Sequence, residues 1–174
     1  MPKSLADGRV KVVALVAKPA IPTAPTVTEL AAGIDISCRI LSSDYALGPT
    51  TSDRIAEKEL CKEGNANAIG ASNYAGSLTP FRYFDPATKQ ASKIEDEVYQ
   101  LLKAKGTTLF LYERQSAKKS TEPFAVGDEV DGYEVVTDNP QKPSDMGGYI
   151  KRVVPLEVQD AWLGGAVGPK PAGA

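Results

Sequence analysis

The sequence contains no histidine among its 174 residues. Histidine is the side chain that most often acts as a general base near neutral pH, and it is also the commonest protein metal ligand. Its absence excludes a Ser/His/Asp triad and any histidine-based metal site. Only two cysteines are present, Cys38 and Cys61. They lie far apart and outside any CxxC pattern, so we expect two buried free thiols and no metal or redox site.

A strong charge of either sign is also missing. The formal net charge is -2 and the sequence pI is about 5.3, so no basic excess is available to neutralise phosphates. We therefore do not expect tight binding of nucleic acid. No apolar run approaches the roughly 20 residues of a membrane span, and the first residues, MPKSLADGRV, lack the apolar stretch of a secretory signal. These absences predict a cytosolic product without membrane contact.

Motifs for catalysis or cofactor binding are absent as well. The glycines of GGYIKR and WLGGAVG lack the spacing of a P-loop or a dinucleotide-binding turn. The segment GDEVDGYE brings Asp128, Glu129, Asp131 and Glu134 together, a set that a glycosidase or a calcium site would also use. Its spacing departs from the EF-hand pattern, and the flanking residues indicate strands. We interpret these acids as a solvated hairpin face, and we expect no catalytic residue, metal or cofactor.

The clearest structural signal is an amphipathic helix at about residues 93–105, followed directly by a strand. Ser92 and Glu95 have capping-box spacing, and Gly106 suits the left-handed residue that ends a helix. The next segment, TTLFLYER, places apolar side chains on both faces of a strand, so this strand needs cover on two sides. The helix can cover one face, and the other needs a second cover. The apolar stripe of the helix consists of Ile94, Val98, Leu101 and Leu102.

The rest of the chain reads mainly as further strands. The segment 53–60 fits a helix or a strand by composition, and we favour the strand. The length and the 42% hydrophobic content suit one core, so we expect a single domain over residues 1–174. The fold class predicted is mainly β, a β-sandwich or barrel of antiparallel strands flanked by one α-helix. The other predicted strands are 9–17, 34–40, 73–85 with an interruption at Pro80, and 148–159, and residues 124–137 predict a turn that leads into another strand.

The connections carry several distinct signals. Residues 18–25 contain three prolines and predict an extended arm without helix or ladder. Thr26 and Glu29 have capping-box spacing, which predicts a short helical turn. Residues 62–72 are rich in Gly, Asn and Ala and predict a flexible connection, while 138–148 predicts an exposed loop.

The carboxyl end combines the only tryptophan with a stretch of Gly, Pro and Ala. Such a composition has little to pack with, so we expect a flexible tail at residues 163–174. Trp162 itself fits an anchor to a neighbouring subunit or to the core better than a ligand contact.

Four motifs together resemble a known family when their order is considered. They are PAIPTAPTVTELAAGIDIS, YAGSLTPFRYFD, EDEVYQLLKAKGTTLFLYER and WLGGAVG, spread over residues 18–166. The chain resembles the major tail tube proteins of phages with long, non-contractile tails (siphoviruses), in particular those that infect actinobacteria. The resemblance implies a structural virion protein without catalytic residues. It also implies hexameric rings that stack into a hollow tube, through which the genome is delivered into the host.

The resemblance also implies partners. These are other copies of the chain, a tape-measure protein and a tail terminator protein, with assembly in the host cytoplasm and transient passage of double-stranded DNA. Neighbouring copies would supply the second cover of the central strand by continuing its sheet, and the arm and the 62–72 connection would reach across to them. The alternative function is a monomeric β-barrel that binds a small ligand or a peptide, or serves as an adaptor.

A tube for DNA needs a wall that does not hold phosphates. If 53–60 is a strand, Asp53, Glu57 and Glu59 share one face and are candidates for repulsive charges that line the lumen. An outer, solvated face accounts for the same pattern.

Overall fold

The computed structural model describes residues 5–64 and 66–169. Within them a seven-stranded antiparallel sheet has the order β2-β1-β7-β8-β9-β6-β3, and β4 and β5 form a separate two-stranded ladder. The predicted mainly β, antiparallel fold is therefore confirmed. The strands are β1 (Val10–Leu15), β2 (Ile34–Asp35), β3 (Ala46–Pro49), β4 (Arg54–Glu57), β5 (Ala66–Ile69), β6 (Tyr74–Leu78), β7 (Thr108–Gln115), β8 (Glu129–Thr137) and β9 (Val154–Ala166), and the helices are α1 (Val27–Ala31) and α2 (Glu97–Leu102).

Strand β7 lies at the centre of the sheet, between β1 and β8. Its residues Leu109 and Leu111 are fully buried on one face, and Tyr112 is fully buried on the other. The prediction of a central strand with cover on both sides is confirmed. Two separate hydrophobic cores follow from this arrangement, one against each face of the sheet.

The first core lies under α2. Val98 and Leu102 of this helix pack with residues of β1, β6, β7, β8 and β9, so the sheet curls around them. The curl is closed on its far side by the segments 39–41 and 79–81, where the Leu41 amide donates to the Thr79 carbonyl at 2.9 Å. Strand β6 ends at Leu78, before the proline that was predicted to interrupt it.

Helix α2 is shorter than the predicted span of 93–105. Ser92 does accept a hydrogen bond from the Glu95 amide at 3.1 Å, but residues 93–96 form turns and the helix begins at Glu97. Ile94 is consequently exposed and lies outside the core. The reason is the fully buried Asp96, whose carboxylate bonds to Arg82 and to the Tyr83 amide and whose backbone is not helical.

The second core is covered by the chain itself. Leu30 of α1, Phe124 and Val167 are buried there against β1, β7 and β8. The prediction that a neighbouring subunit must cover this face is therefore wrong. The sequence did predict the helical turn that does the covering: the Thr26 hydroxyl accepts from the Glu29 amide at 3.2 Å, and Glu29 accepts from the Thr26 amide at 2.8 Å, a complete capping box.

The predicted strand at 34–40 is mostly a turn. Only Ile34 and Asp35 pair with β1. The Asp35 carboxylate accepts from the amide and the hydroxyl of Ser37 at 3.0 and 2.6 Å, and such a local side-chain bond turns the chain. Cys38 is therefore exposed, as is Cys61, so the prediction of two buried thiols is wrong.

Strand β9 begins later and ends later than the predicted strand at 148–159. It runs to Ala166, so residues 163–166 belong to the sheet and not to the predicted tail of 163–174. A register shift makes this possible: Gly132 pairs with Trp162 and Val130 with Gly165. The extra residue, Gly164, adopts a left-handed φ of 64°, which glycine permits. Residues 170–174 of the predicted tail lie outside the described residues.

Candidate subunit interface

The candidate functional surfaces lie on the exterior of the fold. No helix among residues 5–64 and 66–169 is long and apolar enough to cross a bilayer. In the same part of the chain, no group of three or more Cys, Asp or Glu side chains could hold a metal ion. The exposed features of the fold are a projecting hairpin, an open strand edge and an arm that crosses the sheet.

The hairpin consists of β3 and β6 together with their outward continuation, β4 and β5. Ala46 lies opposite Ser77, and Arg54 lies opposite Ile69, so both strands advance by the same number of residues between the two pairs. The Thr50 amide donates to the Asn73 carbonyl at 2.7 Å and links the inner ladder to the outer one. The predicted strand at 53–60 is thus confirmed as β4. The predicted flexible connection at 62–72 is wrong in part, because it contains β5.

The described residues of the outer part of the hairpin are exposed on the surface of the protein. Every residue of β4 and β5 is exposed, including the apolar side chains of Ile55 and Ile69, and Leu60 at the tip is exposed too. From Thr50 to Glu57 each strand has roughly eight residues, which at about 3.3 Å per residue gives a reach of about 26 Å. Apolar groups at the end of such a projection are typical of a surface that contacts a partner.

The three acids predicted to line a lumen all lie on this hairpin, but not on one strand face. Only Glu57 belongs to β4. Asp53 precedes the strand and accepts a hydrogen bond from the Asn73 amide group at 2.8 Å. Glu59 follows the strand, with its carboxylate 2.8 Å from the Lys62 ammonium. Their orientation toward a lumen stays a prediction.

The second half of β9 has an open edge. Strand β6 pairs with β9 only at Val154, Pro155 and Leu156, whereas β8 pairs along its whole length up to Ala166. Among the described residues, the side of β9 that faces away from β8 therefore has no strand partner over residues 159–165. An open edge of this kind presents unpaired backbone groups to which another chain can add a strand.

The predicted arm at 18–25 contains no helix or strand, but it lies on its own sheet. The Tyr112 hydroxyl donates to the Pro22 carbonyl at 2.9 Å, and the Ala166 amide donates to the Thr23 carbonyl at 3.3 Å. The Lys18 ammonium is 2.8 Å from the Glu134 carboxylate and 5.0 Å from the centre of the Trp162 ring.

Trp162 is half-buried beneath this arm. Its ring stacks on Tyr112, with the ring centres 6.5 Å apart and the planes 13° from parallel. The side chain therefore anchors the arm and the sheet of its own chain. A contact of Trp162 with a neighbouring subunit stays a prediction. Only the exposed part of the ring is available for such a contact.

The acids of GDEVDGYE form the solvated face that the sequence predicts only in part, because Glu129 is exposed whereas Asp128 and Asp131 are partly buried. Asp128 lies 3.2 Å from the fully buried guanidinium of Arg114, and Asp131 faces Glu113 across the sheet. Glu134 lies opposite Asp160 of β9, on the face away from α2, and Glu157 is exposed on the same strand. Glu157 and Asp160 come close to Glu134 only through the cross-strand register of β8 and β9, so the sequence does not indicate that these three acids form one group.

A family model for phage tail tube proteins matches residues 1–171. The chain belongs to the phage tail tube protein family. This family implies a structural component of the virion tail, which assembles with itself and with other tail proteins. The membership supports the predicted family at that level, whereas the siphovirus and actinobacteriophage subtypes stay predictions.

The tail tube fold is also shared with a solved structure. A chain in the cryo-EM structure of the anti-feeding prophage baseplate, described as 6-fold symmetrised, is similar over 98% of this chain and 99% of that one, with 16% identity and a TM-score of 0.53. At this identity the likeness concerns the fold alone. A search of curated proteins finds no match.

Proposed function

We propose that this tail tube protein is the major tail tube subunit, which forms stacked hexameric rings around a hollow passage for the genome. The observation that carries the proposal is the family match along residues 1–171. The sixfold symmetry named for the baseplate relative supports six subunits in each ring. The functional surfaces are then interfaces between copies, and no catalytic role is assigned.

The open edge of β9 is the proposed site of ring closure. A neighbouring copy that adds a strand beside residues 159–165 makes a head-to-tail contact, and repetition of such a contact closes a ring when the rotation between copies suits it. This contact extends the sheet and satisfies backbone groups that the single chain leaves open.

The hairpin is the proposed contact between successive rings. A two-stranded ribbon is only marginally stable alone in water, so β4 and β5 gain most from a partner that buries Ile55 and Ile69. The reach of about 26 Å is long enough to leave the body of the subunit and to lie on the next copy.

Passage of DNA requires that the inner wall does not hold the phosphates. Two sets of acids support this role: Asp53, Glu57 and Glu59 on the hairpin, and Glu134, Glu157 and Asp160 on β8 and β9. Charge reversal of Glu57 and Glu59 is expected to slow genome ejection from virions, and unchanged ejection would remove the hairpin acids from this proposal. The proposed partners are the tape-measure and tail terminator proteins of a siphovirus, with assembly in the host cytoplasm.

The hairpin can be removed without altering the ladder beneath it. Replacing residues 51–72 by Asn-Gly joins Thr50 to Asn73 through a two-residue turn, and these two residues are already hydrogen-bonded partners. Sedimentation velocity of the purified protein at increasing concentration is expected to show large assemblies for the native chain. The shortened chain is expected to sediment as a small species with an unchanged melting temperature of the body.

A substitution pair provides a milder variant and a matched control. Ile69→Ser removes an exposed apolar group from the hairpin, whereas Val126→Ser removes one from a turn on the body. Only the hairpin variant should raise the concentration needed for assembly. If the native chain sediments as a single chain at every concentration, the tube proposal fails and the monomeric binding module remains; if the shortened chain assembles like the native one, the hairpin is not the contact.

A further inference from the structure

Several large apolar side chains are exposed on two loops, residues 81–94 and 146–152. The Arg82 amide donates to the Ile150 carbonyl at 2.8 Å and joins one loop to the other. Apolar groups that the backbone gathers in this way mark a contact surface. The exposed side chains are those of Phe84, Ile94, Tyr149 and Ile150, and we call them the distal patch.

Two rings of the distal patch are held in place before any partner arrives. The Arg82 guanidinium forms an ion pair with Asp96 at 3.0 Å, and its Cζ lies 4.9 Å from the centre of the Phe84 ring. The Tyr149 ring stands edge-on to Phe81, with the ring centres 5.9 Å apart and the planes 82° apart. Side chains that are already ordered lose little conformational entropy when they bind, so this surface is suited to a partner.

The distal patch and the hairpin lie at opposite ends of the sheet. Strand β6 runs from Tyr74, where the hairpin leaves the sheet, to Leu78. At the Leu78 end, Val154 of β9 is the paired residue. Phe81 and Lys151 pair one step further from the hairpin, at the distal patch. From Tyr74 to Phe81 there are seven residue steps, which gives a separation of at most about 23 Å along the strand direction.

The two surfaces also differ in charge. Residues 57–63 at the tip of the hairpin contain three glutamates and two lysines. The loops 81–94 and 146–152 contain five basic residues and one acidic residue, and their Arg82 is neutralised by Asp96. Within the described part of the chain, the three lysines of these loops form no ion pair. Opposite charges on two surfaces favour their encounter and fix their register.

We propose that the distal patch is the docking site for the hairpin of a second copy of this chain. This inference rests on the proposed stacking of rings and names the surface that receives the hairpin. Ile55, Leu60 and Ile69 supply exposed apolar side chains to the contact. Because the two surfaces lie at opposite ends, the contact is head to tail: each docking leaves one hairpin and one patch free, so further copies add along one axis.

Two half-competent variants test this contact by sedimentation velocity. The chain with residues 51–72 replaced by Asn-Gly keeps the distal patch but has no hairpin. The double substitution Ile94→Ser with Tyr149→Ser keeps the hairpin but removes half of the patch, and both side chains are exposed, so the melting temperature should not change. Neither variant should form long assemblies alone. An equal mixture is expected to form a complex that contains both chains and cannot extend.

A matched control removes two exposed apolar side chains elsewhere. Val16→Ser with Val126→Ser should assemble at the same concentration as the native chain, whereas Ile94→Ser with Tyr149→Ser should need a several-fold higher concentration. If the patch variant assembles like the native chain, or if the mixture forms no complex, the distal patch is not the docking site and the tube proposal stands. If the native chain sediments as a single chain at every concentration, both proposals fail.

Cys61 allows a cross-linking test that leaves both surfaces intact. Its thiol is exposed near the tip of the hairpin. In a Cys38→Ser background, Gln90→Cys adds a thiol in the exposed turn that follows Phe84. A short bis-maleimide is expected to give a ladder of covalent dimers, trimers and higher species on a denaturing gel, because each chain then carries one thiol on each surface. Val126→Cys in the same background should give no ladder. Equal ladders from the two variants, or none from Gln90→Cys, would overturn the inference.

Discussion

Arg114 shows how one residue can organise a whole loop. Its guanidinium is fully buried and donates to the carbonyls of Lys119, Glu122 and Pro123 at 2.8–3.2 Å, as well as to Asp128 at 3.2 Å. The burial is not evident from the sequence, since an arginine at the end of a strand is normally a surface residue. Its burial depends on carbonyl groups that only the folded loop brings together.

Arg114→Met should be strongly destabilising. It leaves three carbonyls without the guanidinium donor and Asp128 with only the Lys118 ammonium and the Ala125 amide, and breaking a buried ion pair by removing one partner costs about 3–5 kcal/mol. Chemical denaturation measures the change in the free energy of unfolding. Arg54→Met on the exposed strand β4 is the control and should change this free energy by less than about 0.5 kcal/mol. Equal effects of the two substitutions would contradict the role of Arg114.

The lowered pKa of Asp96 predicts how the stability of the protein falls at acid pH. Burial raises its pKa, but the hydrogen bonds from Arg82, from the Tyr83 amide and from Gln100 outweigh that effect and lower the pKa below its ordinary value. The stabilisation is therefore present above about pH 3.9, the ordinary value, and is lost as the pH falls through the folded pKa. Asp96→Asn should lower the melting temperature at pH 7 and flatten its fall between about pH 4 and pH 2, whereas Asp160→Asn on the surface should not. A melting temperature of Asp96→Asn that falls as steeply as that of the native chain would contradict this account.

Among the helices and strands, the sequence predicts correctly those features that depend only on neighbouring residues. The capping box of Thr26 and Glu29 and the doubly apolar strand β7 are read directly from neighbouring residues. The sequence prediction of the start of α2 is wrong because the Asp96 carboxylate is bound by Arg82, which lies 14 residues earlier in the chain. The end of β9 was mispredicted because Gly164 and Gly165 appeared typical of a tail, whereas they serve a register shift and a close approach of the arm.

The contact of the arm with β9 depends on Gly165. A Cβ at this position would lie 2.6 Å from the Thr23 carbonyl oxygen, so Gly165→Ala should displace the arm and destabilise the protein by about 1–3 kcal/mol. The displacement should shift the fluorescence of Trp162, the only tryptophan, toward longer wavelength as the arm uncovers it.

Gly48→Ala is the matched control for this substitution. Its new Cβ would have no contact closer than 3.9 Å, to the Tyr133 hydroxyl. Identical emission and stability of Gly165→Ala and Gly48→Ala would show that the arm does not depend on the glycine.

The features that favour self-assembly of the subunit lie outside its core. The sequence predicts that one face of the central strand lacks cover, but α1, Phe124 and Val167 bury that face within one chain. The subunit therefore has a complete core of its own. The reasons for assembly are instead the exposed hairpin, the open edge of β9 and the membership in the tail tube family. The open edge of β9 and the projecting hairpin depend on which strands pair with each other, and composition and periodicity do not reveal that pairing.

Electron microscopy of the purified chain at high concentration distinguishes a tube from isolated subunits. End-on views are expected to show sixfold symmetry and an axial hole, and side views are expected to show stacked rings. Density for β4 and β5 should lie against the next ring. Particles the size of a single chain at every concentration, or rings without a central passage, would contradict the tube.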